Sequence, residues 1–106
     1  MFNFKVIRLG NAAMVWSDRS MVDAAAPVLD KAIGRLLDSG VSSLVIDLVR
    51  VPSIDGPVIA VLAAAARRTG RRGRRLELRL SGGRSAAVRD AAQLRSAIEW
   101  AYPTAA

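Results

Sequence analysis

The sequence predicts one α/β domain over residues 1–106, a mixed sheet of four or five strands packed against about three or four helices. Three observations carry that expectation. The chain has 106 residues, room for one hydrophobic core, and 52% of them are hydrophobic. Alternating and helical segments succeed one another in the order ββαβαβα. Strands separated by helices, after two joined by a tight turn, imply a mixed sheet with helices packed against it.

The elements follow in order. Phe2 to Leu9 and Ala12 to Ser17 alternate, and Gly10-Asn11 between them is a hairpin signal, because Gly takes the positive φ a tight turn requires. From Asp23 the period changes. Asp23 is placed as an N-cap and Pro27 falls in the first turn, where a missing N–H does little harm. Leu29, Ile33, Leu36 and Leu37 are spaced for a helix from about Ala24 to Ser39, with Gly40 as its stop and Arg35 and Asp38 on the solvated side. Ser43 to Leu48 is a short β-branched run and reads as a buried central strand. Asp55 and Pro57 occupy the cap region and first turn of a second helix, expected from about Pro57 to Arg68 and apolar nearly all round.

Thr69 to Arg75 reads as a basic turn, and Leu76-Glu-Leu-Arg-Leu as a strand with one buried face. Ser81-Gly-Gly is a loop, and Ser85 to Leu94 has a modest helical pattern through Val88, Ala91 and Leu94. The end, from Ala97 to Pro103, fits a helix or a last strand equally well. No repeat or linker interrupts the chain.

Composition excludes most catalytic chemistry. There is no Cys, hence no disulfide, thiolate nucleophile or Cys-ligated zinc. There is no His, so Ser-His-Asp triads and His-based metal sites cannot be assembled. The carboxylates, lysines and hydroxyls that remain show no catalytic spacing. No catalytic residue, metal site or cofactor is expected.

The first residues alternate like a strand and lack the apolar stretch of a signal peptide. The most apolar run, Pro57 to Ala66, is shorter than the roughly 20 residues a bilayer span needs. Neither membrane insertion nor export is expected.

Charge is unevenly placed. Residues 1–66 carry six basic and six acidic side chains, whereas residues 67–106 carry ten arginines against Glu77, Asp90 and Glu99. The whole net charge of +7 therefore belongs to the C-terminal part. Its densest stretch is the basic patch of Arg67, Arg68, Arg71, Arg72, Arg74 and Arg75. Trp16, Trp100 and Tyr102 are not interleaved with these arginines, so no stacking platform for single-stranded nucleic acid is visible. Solubility, an acidic protein patch, or nonspecific nucleic-acid binding are the roles such a patch suits.

The segment from Leu44 to Leu62, Leu-Val-Ile-Asp-Leu-Val-Arg-Val-Pro-Ser-Ile-Asp-Gly-Pro-Val-Ile-Ala-Val-Leu, resembles the signature stretch of STAS domains, the anti-sigma-factor antagonist family. That family shows a strand ending in Asp-Leu, a short loop, then Asp-Ser-Ser-Gly-Leu opening a helix. Asp47 and Asp55 fall at its two aspartates, Ile59 at its leucine, and Asp23 at the aspartate before its first helix. The resemblance covers nearly the whole chain and implies a single STAS-like sandwich.

The departures bear on function. Where phosphorylated members carry a serine after the second aspartate, this chain has Gly56, followed by Pro57, so no phosphorylation is expected at Gly56. The family glycine is Val58, and the usual Gly-Glu-Leu-Asp appears as Ser20-Met-Val-Asp23. A phosphate at a helix start would change a docking surface by charge and bulk. This chain cannot be switched that way.

The resemblance implies a non-catalytic, cytoplasmic, bacterial regulator of transcription that docks a protein partner through Asp55, Gly56, Pro57, Val58 and Ile59, with Val58 as an exposed apolar anchor. The partner would be an anti-sigma factor or kinase-like regulator. A second implied role is a small subunit on the ATPase of a lipid-transporting ABC complex. A role of another class is nonspecific nucleic-acid binding through Arg67 to Arg75. Homodimerisation is compatible with each. The loop from Ser81 to Ser85 is the one place for a bound anion, if it opens a helix.

Overall fold

Alternation of buried apolar residues with more exposed ones marks the three central strands of a five-stranded sheet in the computed structural model, which describes residues 4–103. The strands are β1 Phe4–Leu9, β2 Ala12–Ser17, β3 Ser43–Asp47, β4 Arg75–Leu80 and β5 Arg84–Val88, lying side by side in chain order. The outer pairs are antiparallel, and β3 runs parallel to both β2 and β4. The helices are α1 Ala26–Asp38, α2 Gly56–Arg71 and α3 Ala91–Ala101, with 3₁₀ turns at Asp23–Ala25 and Ser81–Gly83.

Period-two alternation sends Ala13, Val15, Leu44, Ile46, Leu76, Leu78 and Leu80 into the core beneath the helices. Their neighbours Met14, Trp16, Val45, Asp47, Glu77 and Arg79 stand on the opposite face, partly or fully exposed. The described residues thus form two layers, and among them no element covers the second sheet face. Between α1 and α3 lies α2, packed on both and on β4, with Val58, Leu62, Ala63, Ala65 and Ala66 buried. Its alanines allow that close approach. Truncating the fully buried Leu62 to Ala would cost about 2–5 kcal/mol.

The Gly10-Asn11 hairpin forms as the sequence indicates. Gly10 has φ +60° and Asn11 does not, which is the φ pattern of a type II′ turn. Residues 2 and 3 of the expected first strand lie outside the described residues.

Three expectations are corrected. Ser85 to Val88 is strand, not helix, so the order is ββαβαββα and the only helix there is Ala91–Ala101. Asp90 caps it by accepting the Gln93 N–H at 2.8 Å, while the Gln93 side chain accepts the Arg89 N–H at 2.7 Å. The segment from Ser81 to Ser85 therefore leads into β5 and does not open an α-helix. The second helix runs on to Arg71, beyond the expected Arg68, because Thr69 is buried and its hydroxyl donates to the Ala66 carbonyl at 3.0 Å. Arg71 is therefore a helical residue and not a turn residue, while Arg67 and Arg68 are helical as expected.

Candidate partner-docking site

Asp47 closes β3. Its Oδ1 accepts the Val49 N–H at 3.0 Å, and the Leu48 N–H donates to the Arg79 carbonyl at 2.8 Å, starting the loop that leads to α2. The far end of the loop is fastened to the segment before α1. An isolated parallel bridge joins Met21 to Ile54, with the Met21 N–H donating to Ser53 O at 3.0 Å and the Asp55 N–H to Met21 O at 2.9 Å. Beside it, the Ser53 and Ser20 hydroxyls are 2.7 Å apart.

Asp55 stands at the N-cap of α2 with extended backbone, and its carbonyl accepts the Val58 and Ile59 N–H groups. Its carboxylate makes no cap bond to α2. Instead Oδ2 accepts the Asp23 N–H at 2.8 Å. Asp23 likewise fails to cap by its side chain; it is the first residue of the 3₁₀ turn before α1. One carboxylate therefore positions two helix starts.

Sequence reasoning missed the third fastening. The Tyr102 hydroxyl, at the end of α3, donates to Val51 O at 2.8 Å and lies 3.3 Å from Leu48 O. Burial raises the Tyr102 phenol above its ordinary pKa. A lone tyrosine before a proline gives no sequence signal for this role.

Among the proposed docking residues, Asp55, Gly56 and Pro57 are exposed and Ile59 is half-buried. Val58 is 0% exposed and belongs to the core, which corrects its expected role as an exposed anchor. The apolar side chains exposed nearby are Val22 before the 3₁₀ turn and Val28 on α1. A β-carbon on Gly56 would meet nothing within 4 Å, and its φ is not in the left-handed region, so a serine would fit there.

The six arginines do not form one free patch. The Arg68 guanidinium lies against Gly34 of α1, Arg72 pairs with Asp38 at 3.6 Å, and Arg74 donates to the Leu37 carbonyl. Those three attach the end of α2 and the turn after it to the end of α1. Arg67, Arg71 and Arg75 are exposed. Stacking on an aromatic falls to another arginine, Arg84, 4.1 Å from the Trp100 ring centroid. Among the described residues no helix is long and apolar enough to cross a membrane, and no cluster of acidic side chains could hold a metal.

Comparison with solved structures gives the same architecture. A proposed anti-sigma factor antagonist from Thermotoga maritima superposes with TM-score 0.64 at 17% identity, covering 71% of this chain and 65% of that one. An anti-sigma factor antagonist from Mycobacterium paratuberculosis gives TM-score 0.53 at 27% identity, over 59% of this chain and 54% of its own. The protein Mglu gives 0.60 at 26% identity over 70% of this chain, which corresponds to only 18% of Mglu. The matched region is thus less than two thirds of each of these chains. No curated protein matches the sequence. The STAS domain description matches residues 4–106, and on that match, with the sheet order and the paired loops, the chain belongs to the STAS domain family.

Proposed function

We propose that the chain is a non-catalytic protein-interaction module of the anti-sigma-factor antagonist kind, held permanently in its unphosphorylated form. Its docking surface is the rim formed by Asp55, Gly56 and Pro57 with the exposed edge of Ile59, extended by Val22 and Val28. The observation that carries this reading is the fastening of that rim. Asp55 Oδ2 on Asp23 N–H and the Met21–Ile54 bridge hold both helix starts in one rigid surface. A pre-ordered surface binds without the entropic cost of ordering loops. With no hydroxyl at position 56, the state other members reach by dephosphorylation is the only one available here.

The partner class is an anti-sigma factor or kinase-like regulator in the bacterial cytoplasm. Co-purification of the chain with such a regulator, against an ABC-transporter ATPase as the competing candidate, tests it. Stable capture of the regulator alone supports the reading, and capture of the ATPase alone replaces it with the transport-subunit role.

A further inference from the structure

Of the seven large hydrophobic side chains exposed among the described residues, three sit on the single six-residue strand β1: Val6, Ile7 and Leu9, the last 78% exposed. Among the described residues no strand lies beyond β1, so its outer edge is unpaired. Register fixes which groups are free. Leu9 and Ala12 close the two-residue hairpin and so form a hydrogen-bonded pair. By alternation the N–H and C=O groups of Phe4, Val6 and Arg8 point outward. Natural edge strands are usually blunted by charged side chains that keep other strands away. Both cations of β1, though exposed, are engaged with groups of their own domain instead. The Lys5 ammonium lies 5.5 Å from the Trp16 ring centroid on β2. Arg8 donates from Nε to Gly10 O at 3.0 Å and from Nη2 to Ser39 O at 3.1 Å. The edge is left open and apolar.

We infer that β1 pairs antiparallel with β1 of a second copy of this chain, about a two-fold axis at Val6, to make a continuous ten-stranded sheet. The free groups of Phe4, Val6 and Arg8 bond in the register that sets Val6 against the partner's Val6. That register also sets Phe4 against the partner's Arg8 and Lys5 against the partner's Ile7, so no like charges stand directly opposite. Charge distribution selects a second copy at this edge. Residues 1–66, which include β1, have zero net charge, whereas the opposite edge at β5 belongs to the half carrying the whole +7. Two copies meeting at β1 keep the sheet's own arginines away from the contact, Arg75 and Arg79 on β4 and Arg84 on β5 lying toward the far ends. The dimer is isologous and closed, so it ends at two copies. The docking rim is not consumed, because it lies at the helix starts and not on this edge.

The test is the mass of the full chain in solution by light scattering after size exclusion, from micromolar to millimolar concentration. The inference expects a species of twice 11.3 kDa that grows with concentration. Val6→Lys should abolish it by setting two ammonium groups across the axis, while Val6→Thr should keep it. Because the chain has no cysteine, Val6→Cys gives a second readout should Val6→Lys misfold. A short bis-maleimide should link Val6→Cys into covalent dimers and leave Val28→Cys unlinked. A monomer at every concentration, a dimer that survives in folded Val6→Lys, or linking of Val28→Cys in place of Val6→Cys would each overturn the pairing.

Discussion

The carboxylate of Asp55 accepts the backbone N–H of Asp23 at 2.8 Å, and through it the starts of α1 and α2 are held together. Asp55→Ala removes that acceptor and leaves one helix-start amide to water. The expected loss is about 1 kcal/mol, with Asp55→Asn losing less because its carbonyl oxygen still accepts. Urea unfolding of the three proteins measures this. Hydrogen exchange should show faster exchange at Asp23 in Asp55→Ala than in the parent.

A glycine pair separates close packing from mere helix propensity. A β-carbon on Gly70 would sit 2.2 Å from the Arg89 carbonyl oxygen, which is backbone and cannot turn aside. Gly70→Ala should therefore destabilise by about 1–3 kcal/mol, the usual cost of overpacking. At Gly34 the nearest atoms are the Arg68 guanidinium nitrogens, the first at 3.6 Å, an ordinary contact. Gly34→Ala should be neutral or stabilising by up to about 1 kcal/mol from helix propensity. Thermal melts of the two variants check the opposite signs.

Tyr102 predicts a pH dependence. Burial raises its phenol pKa, so the folded chain holds the proton more tightly than the unfolded chain. Its contribution is full below the ordinary tyrosine value near 10 and is lost as pH rises through the folded value. At neutral pH Tyr102→Phe should cost about 1 kcal/mol, for the hydrogen bond to Val51 O. Denaturant midpoints measured upward from pH 9 should show that difference shrinking. A gap that widens at alkaline pH would contradict the assignment.

Much of this was legible in the sequence, for physical reasons that also explain the exceptions. Val15, Ile46, Leu76 and Leu78 alternate with polar or exposed neighbours, so β2, β3 and β4 announce themselves. Arg84-Ser-Ala-Ala-Val does not, because Ala and Ser carry little strand preference and only Val88 of the five is buried. The Asp90-x-x-Gln93 spacing was the available signal that α3 starts after this segment. At the candidate site, Asp55 and Asp23 were visible as residues but not as a pair. Each looked like the cap of its own helix, and only the fold shows one carboxylate crossing to the other. Val58 looked exposed because helix starts usually are; here it lies on the inner face of the first turn of α2, in the core, while Gly56 and Pro57 beside it stay exposed.

The arginines predict weak, salt-sensitive nucleic-acid binding. Arg68, Arg72 and Arg74 are engaged with α1, which leaves Arg67, Arg71 and Arg75 to meet phosphates. Such contacts position without reading sequence. Titration against duplexes of different sequence should give binding without preference that collapses as salt rises. A dissociation constant near or below about 10⁻⁸ M at physiological salt, with clear sequence preference, would reverse this.

Gly56 predicts chemical silence that a single change relieves. Intact-mass spectrometry after treatment with a partner kinase and ATP should show no added phosphate on the parent chain. Because nothing stands within 4 Å of a β-carbon there, Gly56→Ser should fold with parental stability and gain one phosphate. Phosphate on the parent chain, with Ser53 the nearest hydroxyl, would reveal a displaced switch.

The most direct measurement is calorimetric titration of the partner with the parent chain and with Gly56→Asp. The substitution places a charge at the centre of the exposed rim and disturbs no packing. The account predicts at least tenfold weaker binding, about 1.4 kcal/mol, with an unchanged melting curve. Equal affinities for the two proteins would place the partner elsewhere on the molecule and contradict the docking site.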